Sequence, residues 1–244
     1  GMRTTAKKDG NHYVVNGAKT YITNGQNADL ILVCCKTDPD ANPAYKGVSI
    51  VLVEADREGF KRGRNLDKVG LDAADTSELF FEDVRVPITN CLGQEGMGFI
   101  YLMSELPQER LSIAIGAQTG AQRSFDQTVE FVRERKAFGK PILDFQNTRF
   151  VLADLKTKLQ VGWAHIDWAL ARHMKKELTP EEASAAKLWH TELQGEVVDK
   201  CLQLHGGAGF MNEYPIAKQF RGARVTRIFG GTSEIMKELI GRKL

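Results

Sequence analysis

The chain has 244 residues, 42% of them hydrophobic and 26% charged, enough for one large core or two smaller ones and unlike a disordered or fibrous protein. Its 33 basic and 31 acidic residues are interspersed and leave a formal net charge of +2, so nothing electrostatic calls for a nucleic-acid or membrane partner. No apolar run reaches the roughly 20 residues of a membrane helix, and the charged start is unlike a secretory signal, so a reducing compartment is expected. Cysteine usage agrees with that placement. Cys34, Cys35, Cys91 and Cys201 lack metal-ligand spacing, and the adjacent pair lies in the apolar run "LILVCC", which reads as buried free thiols. The five histidines show no metal pairing, and Gly1 is set aside from fold reasoning as a tag remnant.

From Thr4 to about Arg85 the segments are short, rich in β formers and punctuated: "HYVVNGAKTYITNG", "DLILVCCKT", "KGVSIVLVEA" and "SELFFEDVRV". Asn16-Gly17 between strand-like runs predicts a hairpin turn, and Gly59, Gly63 and Gly70 mark further turns. Residues 1–90 are therefore expected to form a β domain, a small sandwich or barrel.

Past Pro87 and the glycine-rich link "CLGQEGMGF" the apolar spacing lengthens to three and four residues, and helices are expected. The first runs from about Tyr101 until Gly139-Lys140-Pro141 stops it, with Pro107 implying a kink or a restarted first turn. The second spans about Phe145 to Lys176. Thr179-Pro180-Glu181-Glu182 is a capping box with proline at the first helical position, and it opens a third helix that ends near His205 and Gly206-Gly207. Two shorter helices follow, one around Ile216 to Val225 and one after Gly231. Trp163 and Trp168 share the second helix with Leu155 and Leu170 and read as core. Long helices with short connections pack antiparallel, so residues 91–244 are expected to form a four-helix bundle and the chain to be of the α+β class.

Four segments carry the reading from fold to function. "YITNG" (21–25), "ERKAFGK" (134–140), "QLHGGAGF" (203–210) and "IFGGTSEI" (228–235) stand in this order on the two halves, with "DVRVP" and "EYPIAK" beside them. Together they resemble the acyl-CoA dehydrogenase family over essentially the whole chain, most of all its long-chain and isovaleryl-type members. The resemblance implies an FAD enzyme that desaturates an acyl-CoA thioester between its α and β carbons. A glutamate would take the α-proton while the β-hydrogen leaves as hydride to flavin N5. It also implies flavin bound between the two domains, a homo-oligomer (dimer or tetramer), electron-transfer flavoprotein as acceptor, and a bacterial cytoplasm or mitochondrial matrix as location. A related acyl-CoA oxidase, or a non-catalytic remnant kept for oligomerisation, would share these motifs. Family members begin with a helical domain and a "GSD"-like strand, and this chain starts just after the place where that strand would be.

Many family members carry the catalytic glutamate where this chain has Gly230. Glycine accepts no proton. The resemblance moves the base to "LPQERL", which makes Glu109 catalytic, with Arg110, Phe229 and Gly230 facing substrate. A base for an acidified C–H must stand within hydrogen-bond reach and be partly desolvated; read locally, Glu109-Arg110 is an ordinary pair of solvated helix charges. Thr232 and Glu234 would contact FAD at a helix entrance whose glycines and free amides suit an anion, although Thr232 is equally a good N-cap. Tyr21 would stand beside the isoalloxazine ring and Thr23 would bond its polar edge, while both also fit a strand. Arg135, Phe138, Gln146, Gln203 and Gly207 would touch FAD, with Arg135 and Phe138, and Gln203 and Gly207, reaching across to a neighbouring subunit's cofactor. Gly206-Gly207 could equally be a helix cap.

Overall fold

Alternating apolar residues set the first half as six strands: β1 (Thr5–Asp9), β2 (His12–Thr23), β3 (Leu30–Lys36), β4 (Val48–Glu54), β5 (Phe60–Asn65) and β6 (Thr76–Pro87). In β3, Ile31, Val33 and Cys35 are buried while Leu30, Leu32 and Cys34 face outward to differing degrees, the period of two that a half-covered sheet demands. The strands belong to one hydrogen-bonded sheet of order β4-β3-β1-β2-β6-β5, with β4 and β5 at its ends. Pairing is antiparallel except between β1 and β3. One core gathers Tyr13, Val15, Val33, Val51, Leu79, Phe81 and Val84. Each large apolar side chain buried this fully contributes roughly 1.5–3 kcal/mol.

The computed structural model describes residues 2–244, so Gly1 lies outside it. Asn16-Gly17 is not the expected hairpin turn. It lies within β2 at a bulge, where Asn16 donates to the Asp83 carboxylate at 2.9 Å and accepts from the Asp83 amide at 2.9 Å. Gly17 has φ +141°, and a Cβ there would stand 2.7 Å from Cα and Oγ1 of Thr4, so the residue is glycine for close approach. The extra residue shifts the buried positions of β6 from Ser77, Leu79 and Phe81 to Val84 and Val86. The tight connection instead falls between Asp9 and His12, at Gly10. Gly63 likewise lies inside β5, while Gly59, with φ +86°, does sit in a turn.

The second half holds five helices: α1 (Gly98–Glu134), α2 (Gln146–Met174), α3 (Pro180–His205), α4 (Pro215–Ala223) and α5 (Ser233–Gly241). Contacts divide the chain into two units, one reaching Lys68 and resuming over Asp72–Ser104, the other made of Val69–Leu71 and Glu105–Leu244. The helix α1 runs on through Pro107, which has no amide hydrogen to give the Met103 carbonyl one turn back. Capping of α3 follows the sequence: Thr179 Oγ1 accepts from Glu182 N at 3.2 Å, and the Glu182 carboxylate accepts from Thr179 N at 2.9 Å. A common core joins Ala121, Phe125 and Val132 of α1 to Leu155 and Leu159 of α2, Val197 and Cys201 of α3 and Ile216 of α4. Trp163 is half-buried and donates to Gln122 at 3.1 Å, but Trp168 and Leu170 are exposed rather than core. The apolar stripe on α2 extends to Trp168, which stacks on His165 and carries the Arg172 guanidinium over its ring yet stays 44% exposed.

A polar chain crosses this unit's interior. Gln118 Nε2 donates to the Leu159 carbonyl at 2.9 Å, which turns its Oε1 toward His190 Nδ1 at 3.0 Å. His190 Nδ1 must then carry hydrogen, and its Nε2 accepts from His165 Nδ1 at 3.2 Å. His190 is fully buried, and burial followed by the neighbouring His165 pulls its pKa from 6.5 to about 3. The folded-state value lies below the unfolded one, so the unfolded chain takes up the proton first. This contribution to stability is complete above about pH 6.5 and declines toward about pH 3, by at most about 1.4 kcal/mol per pH unit. Urea denaturation of the helical unit at pH 7, 5 and 4 should show that decline, and His190→Gln should flatten it. Equal pH slopes in the two proteins would refute the assignment.

Candidate functional site

The segment "IFGGTSEI" forms a bare turn feeding a helix. Gly230 and Gly231 have φ of +63° and +103°, two consecutive residues in conformations that side chains resist, and α5 begins directly after them. Thr232 is the N-cap, its Oγ1 accepting from Ile235 N at 3.4 Å. Glu234 is exposed in the first turn, and hydrogen bonding there, its own amide first and Thr232 next, holds its carboxyl below the usual range.

Three side chains of α3 and its neighbourhood tie this turn down. Lys187 is fully buried and donates to the Gly231 carbonyl at 2.5 Å. Ser233 donates to Glu192 at 2.7 Å, and Arg227 pairs with the same carboxylate at 3.2 Å. The Arg227 guanidinium lies where a side chain on residue 195 would be, which accounts for Gly195.

Glu109 and Gly230 are brought together through α1. A Cβ on Gly230 would stand 2.5 Å from Cδ1 of Ile113, which follows Glu109 by one helical turn on the same face. The Glu109 carboxylate is exposed, so the described residues do not supply the desolvation expected of a base. Arg110 is buried, donates to Ser184 Oγ at 3.2 Å and has its Nε without a partner among the described residues. Burial lowers its pKa and the Glu109 charge opposes that. Phe229 is half to mostly exposed at the end of the preceding 3-10 turn (Arg224–Arg227).

The remaining candidates form two further groups. Tyr21 belongs to the β unit, at an irregularity of β2 between Lys19 and Ile22; its φ is +59° and its ring is 77% exposed. Thr23 ends the same strand. Arg135, Phe138 and Gln146 surround the connection between α1 and α2, where β7 (Lys136–Ala137) and β8 (Lys140–Pro141) make a small hairpin turned by Phe138 and Gly139. Phe138 has φ +52° and is 96% exposed. An aromatic residue with positive φ and a ring in solvent is costly on both counts. Phe131 stacks on His205 at 4.2 Å, so this connection and the α3 end bearing Gln203 and Gly207 share one end of the unit. Gly206 caps α3 with φ +57°, whereas Gly207 has no atom within 4 Å of a would-be Cβ. Lys187 and Gln203 are 16 residues apart on α3, about 24 Å along its axis.

His205 is structural, stacked and with its Nδ1 on the Cys201 carbonyl at 2.8 Å. Lys187, Ser184 and Glu192 escaped sequence reasoning, because lysine and glutamate in a helical period read as solvated. The signal available was the small-residue setting "ASAAK". Among the described residues no group of three or more His, Cys, Asp or Glu could hold a metal ion, and no helix is long and apolar enough to cross a membrane.

Known proteins match this geometry along the whole chain. The family model for the acyl-CoA dehydrogenase middle domain matches residues 1–84, and the one for the acyl-CoA dehydrogenase C-terminal domain matches residues 96–244. The chain belongs to the acyl-CoA dehydrogenase family. It is 50% identical over 244 residues to the mitochondrial long-chain specific acyl-CoA dehydrogenase of Sus scrofa, covering 100% of this chain and 57% of that protein. An acyl-CoA dehydrogenase structure from Geobacillus kaustophilus superposes with a TM-score of 0.97 at 50% identity, over 99% of this chain and 64% of that one. A glutaryl-CoA dehydrogenase from Mycobacterium smegmatis in complex with FADH2 superposes at 0.92 with 31% identity, over 100% and 61%. The chain thus spans little more than half the length of the Sus scrofa relative.

The turn's geometry gives a stability test. Gly230→Ala should cost about 1–2 kcal/mol for its positive φ. Gly207→Ala, with open space, should stay within about 0.5 kcal/mol of the parent in urea denaturation. A neutral Gly230→Ala would contradict the assigned backbone.

Proposed function

We propose that this chain carries the catalytic base and much of the cofactor cradle of an FAD-dependent acyl-CoA dehydrogenase. The carrying observation is the contact between the Gly230 position and Ile113, one turn from Glu109. A side chain on residue 230 would fill the space beside the α1 face that presents Glu109. Glycine lets Ile113 of that face approach instead, and with no carboxylate possible at 230 the acid on α1 is the one at hand.

The residues present fit a flavin. Tyr21 and Phe138 hold rings in solvent on strained backbone, the α5 entrance offers amides to an anion, and Gly207 leaves room for close approach. Tyr21, Thr23, Thr232 and Glu234 would each contact FAD, with Thr23 bonding the ring edge. Arg135, Phe138, Gln146, Gln203 and Gly207, gathered at the other end of α3, would hold the FAD of a neighbouring subunit in a homo-oligomer. Arg135 suits pyrophosphate because its planar fork donates bidentately. When bound, FAD supplies an acceptor for the hydride that leaves the β carbon.

Glu109 takes the α-proton onto its carboxylate as the electrons of that C–H bond become the new double bond. An exposed carboxylate is solvated, so entry of an acyl chain must displace the water between it and the α carbon. Arg110, next to Glu109 in the chain and bonded to Ser184, would face substrate with a guanidinium whose charge burial opposes and Glu109 supports. Electron-transfer flavoprotein is the acceptor that the family relationship favours for the reduced cofactor. Mitochondrial homologues favour the matrix, or the cytoplasm of a bacterium, as location.

The test is anaerobic mixing of the flavin-loaded protein with a panel of acyl-CoA thioesters while flavin absorbance is followed. Bleaching is expected. Glu109→Gln should bind flavin normally and bleach at least about 10³-fold more slowly, the contribution of a positioned base. Parental bleaching by that variant would remove Glu109 from the mechanism.

A further inference from the structure

Lys187 is a buried ammonium whose one described hydrogen bond goes to a backbone carbonyl. No carboxylate pairs with it directly. The charges that reach it are the repulsive Arg110 and the attractive Glu192, whose oxygens are already engaged by Ser233 and Arg227. Burial and Arg110 together lower its pKa, with Glu192 opposing. Removing an ammonium from water into such surroundings is expensive, and a leucine or methionine of similar length would pack at lower cost. Core packing therefore does not explain the residue.

Its one partner does. The Gly231 carbonyl belongs to a turn with no side chains of its own at two successive positions, both at positive φ. Glycine pairs of this kind sample many conformations unless something external fixes them. On the far side of the turn, Ser233 is held by Glu192. On the near side the only tie among the described residues is the 2.5 Å bond from Lys187.

We propose that Lys187 is a positioning residue: its ammonium locks the Gly231 carbonyl and so aims the Gly230-Gly231 turn and the first amides of α5 at the bound ligand. The inference rests on the reading of this turn as part of the acyl-CoA and flavin site. It adds a residue on α3, one that touches neither cofactor nor substrate and acts through the backbone between them.

Lys187→Met keeps the length and removes the bond. In ligand-free protein, hydrogen exchange of the amides of residues 231–236 should quicken about 10-fold or more, the effect of one lost charge-assisted hydrogen bond. The thermal midpoint should hold or rise, and FAD affinity should fall by a similar factor. Thr191→Val is the comparison: it is buried one turn further along α3, bonds only its own helix through its hydroxyl, and should leave exchange at 231–236 unchanged. Parental exchange at the turn in Lys187→Met, or loosening equal to that of Thr191→Val, overturns the proposal. Should Lys187→Met not fold, lysine Nζ resonances of the parent protein decide. A slowly exchanging Nζ coupled to the Gly231 carbonyl carbon supports the clamp, and a rapidly averaged one overturns it. A parent protein whose flavin no acyl-CoA bleaches would instead defeat the reaction assigned above, while the ligand-free exchange result would still judge Lys187.

Discussion

A short segment without side chains, Gly230-Gly231, governs how the helical unit can work. Its positive φ values make the chain double back into α5 at a place where ordinary residues would be strained, and its bareness lets Ile113 of α1 come into contact. Such a turn is shaped by what surrounds it. Here that means Lys187 from within and Glu192, with Arg227 and Ser233, from the side. Two costly arrangements, a buried ammonium and a strained backbone, thereby compensate one another across a single hydrogen bond. Proteins keep such pairs where geometry matters more than stability.

The long helix α3 then acts as a ruler. Its second turn grips the α5 entrance, and its last turn, by way of His205 against Phe131, adjoins the α1–α2 connection with its exposed Phe138. One flavin cannot be assigned to both ends merely because both look like cofactor contacts. The separation of about 24 Å along a rigid helix gives physical sense to the family expectation that each end serves a different cofactor, one of them a neighbour's. The homo-oligomer proposed above would give the Phe138 ring, 96% exposed at positive φ, a second copy to pack against.

Much of this was legible in the residues. Helix limits followed from punctuation: the Thr179 box, Pro180, and the glycines after His205 each act through local backbone chemistry that tertiary contacts did not override. Asn16-Gly17 misled for an equally local reason. A hairpin turn and a β-bulge both need a glycine free to adopt positive φ, and only the partner strand, through Asp83 and Thr4, decides between them. At Pro107 the helix does not restart, because a long helix can absorb one missing donor. Trp168 shows a further boundary: periodicity finds an apolar stripe but cannot say which elements cover it.

Lys187 lay beyond any pattern of one chain. Its burial depends on α5 returning over α3 some 44 residues later, a long-range pairing that no window of sequence contains. Glu109 is the converse case. Its proposed role is what the family resemblance of "LPQERL" implies, and the structure sets the Gly230 position against Ile113, one turn from Glu109, while Glu109 stays exposed. An exposed carboxylate and a clamped turn would divide the labour of the proposed site in a consistent way. The turn must hold its shape before anything binds, whereas the acid would act only once an acyl chain has displaced the water around it and brought the reacting carbon within reach.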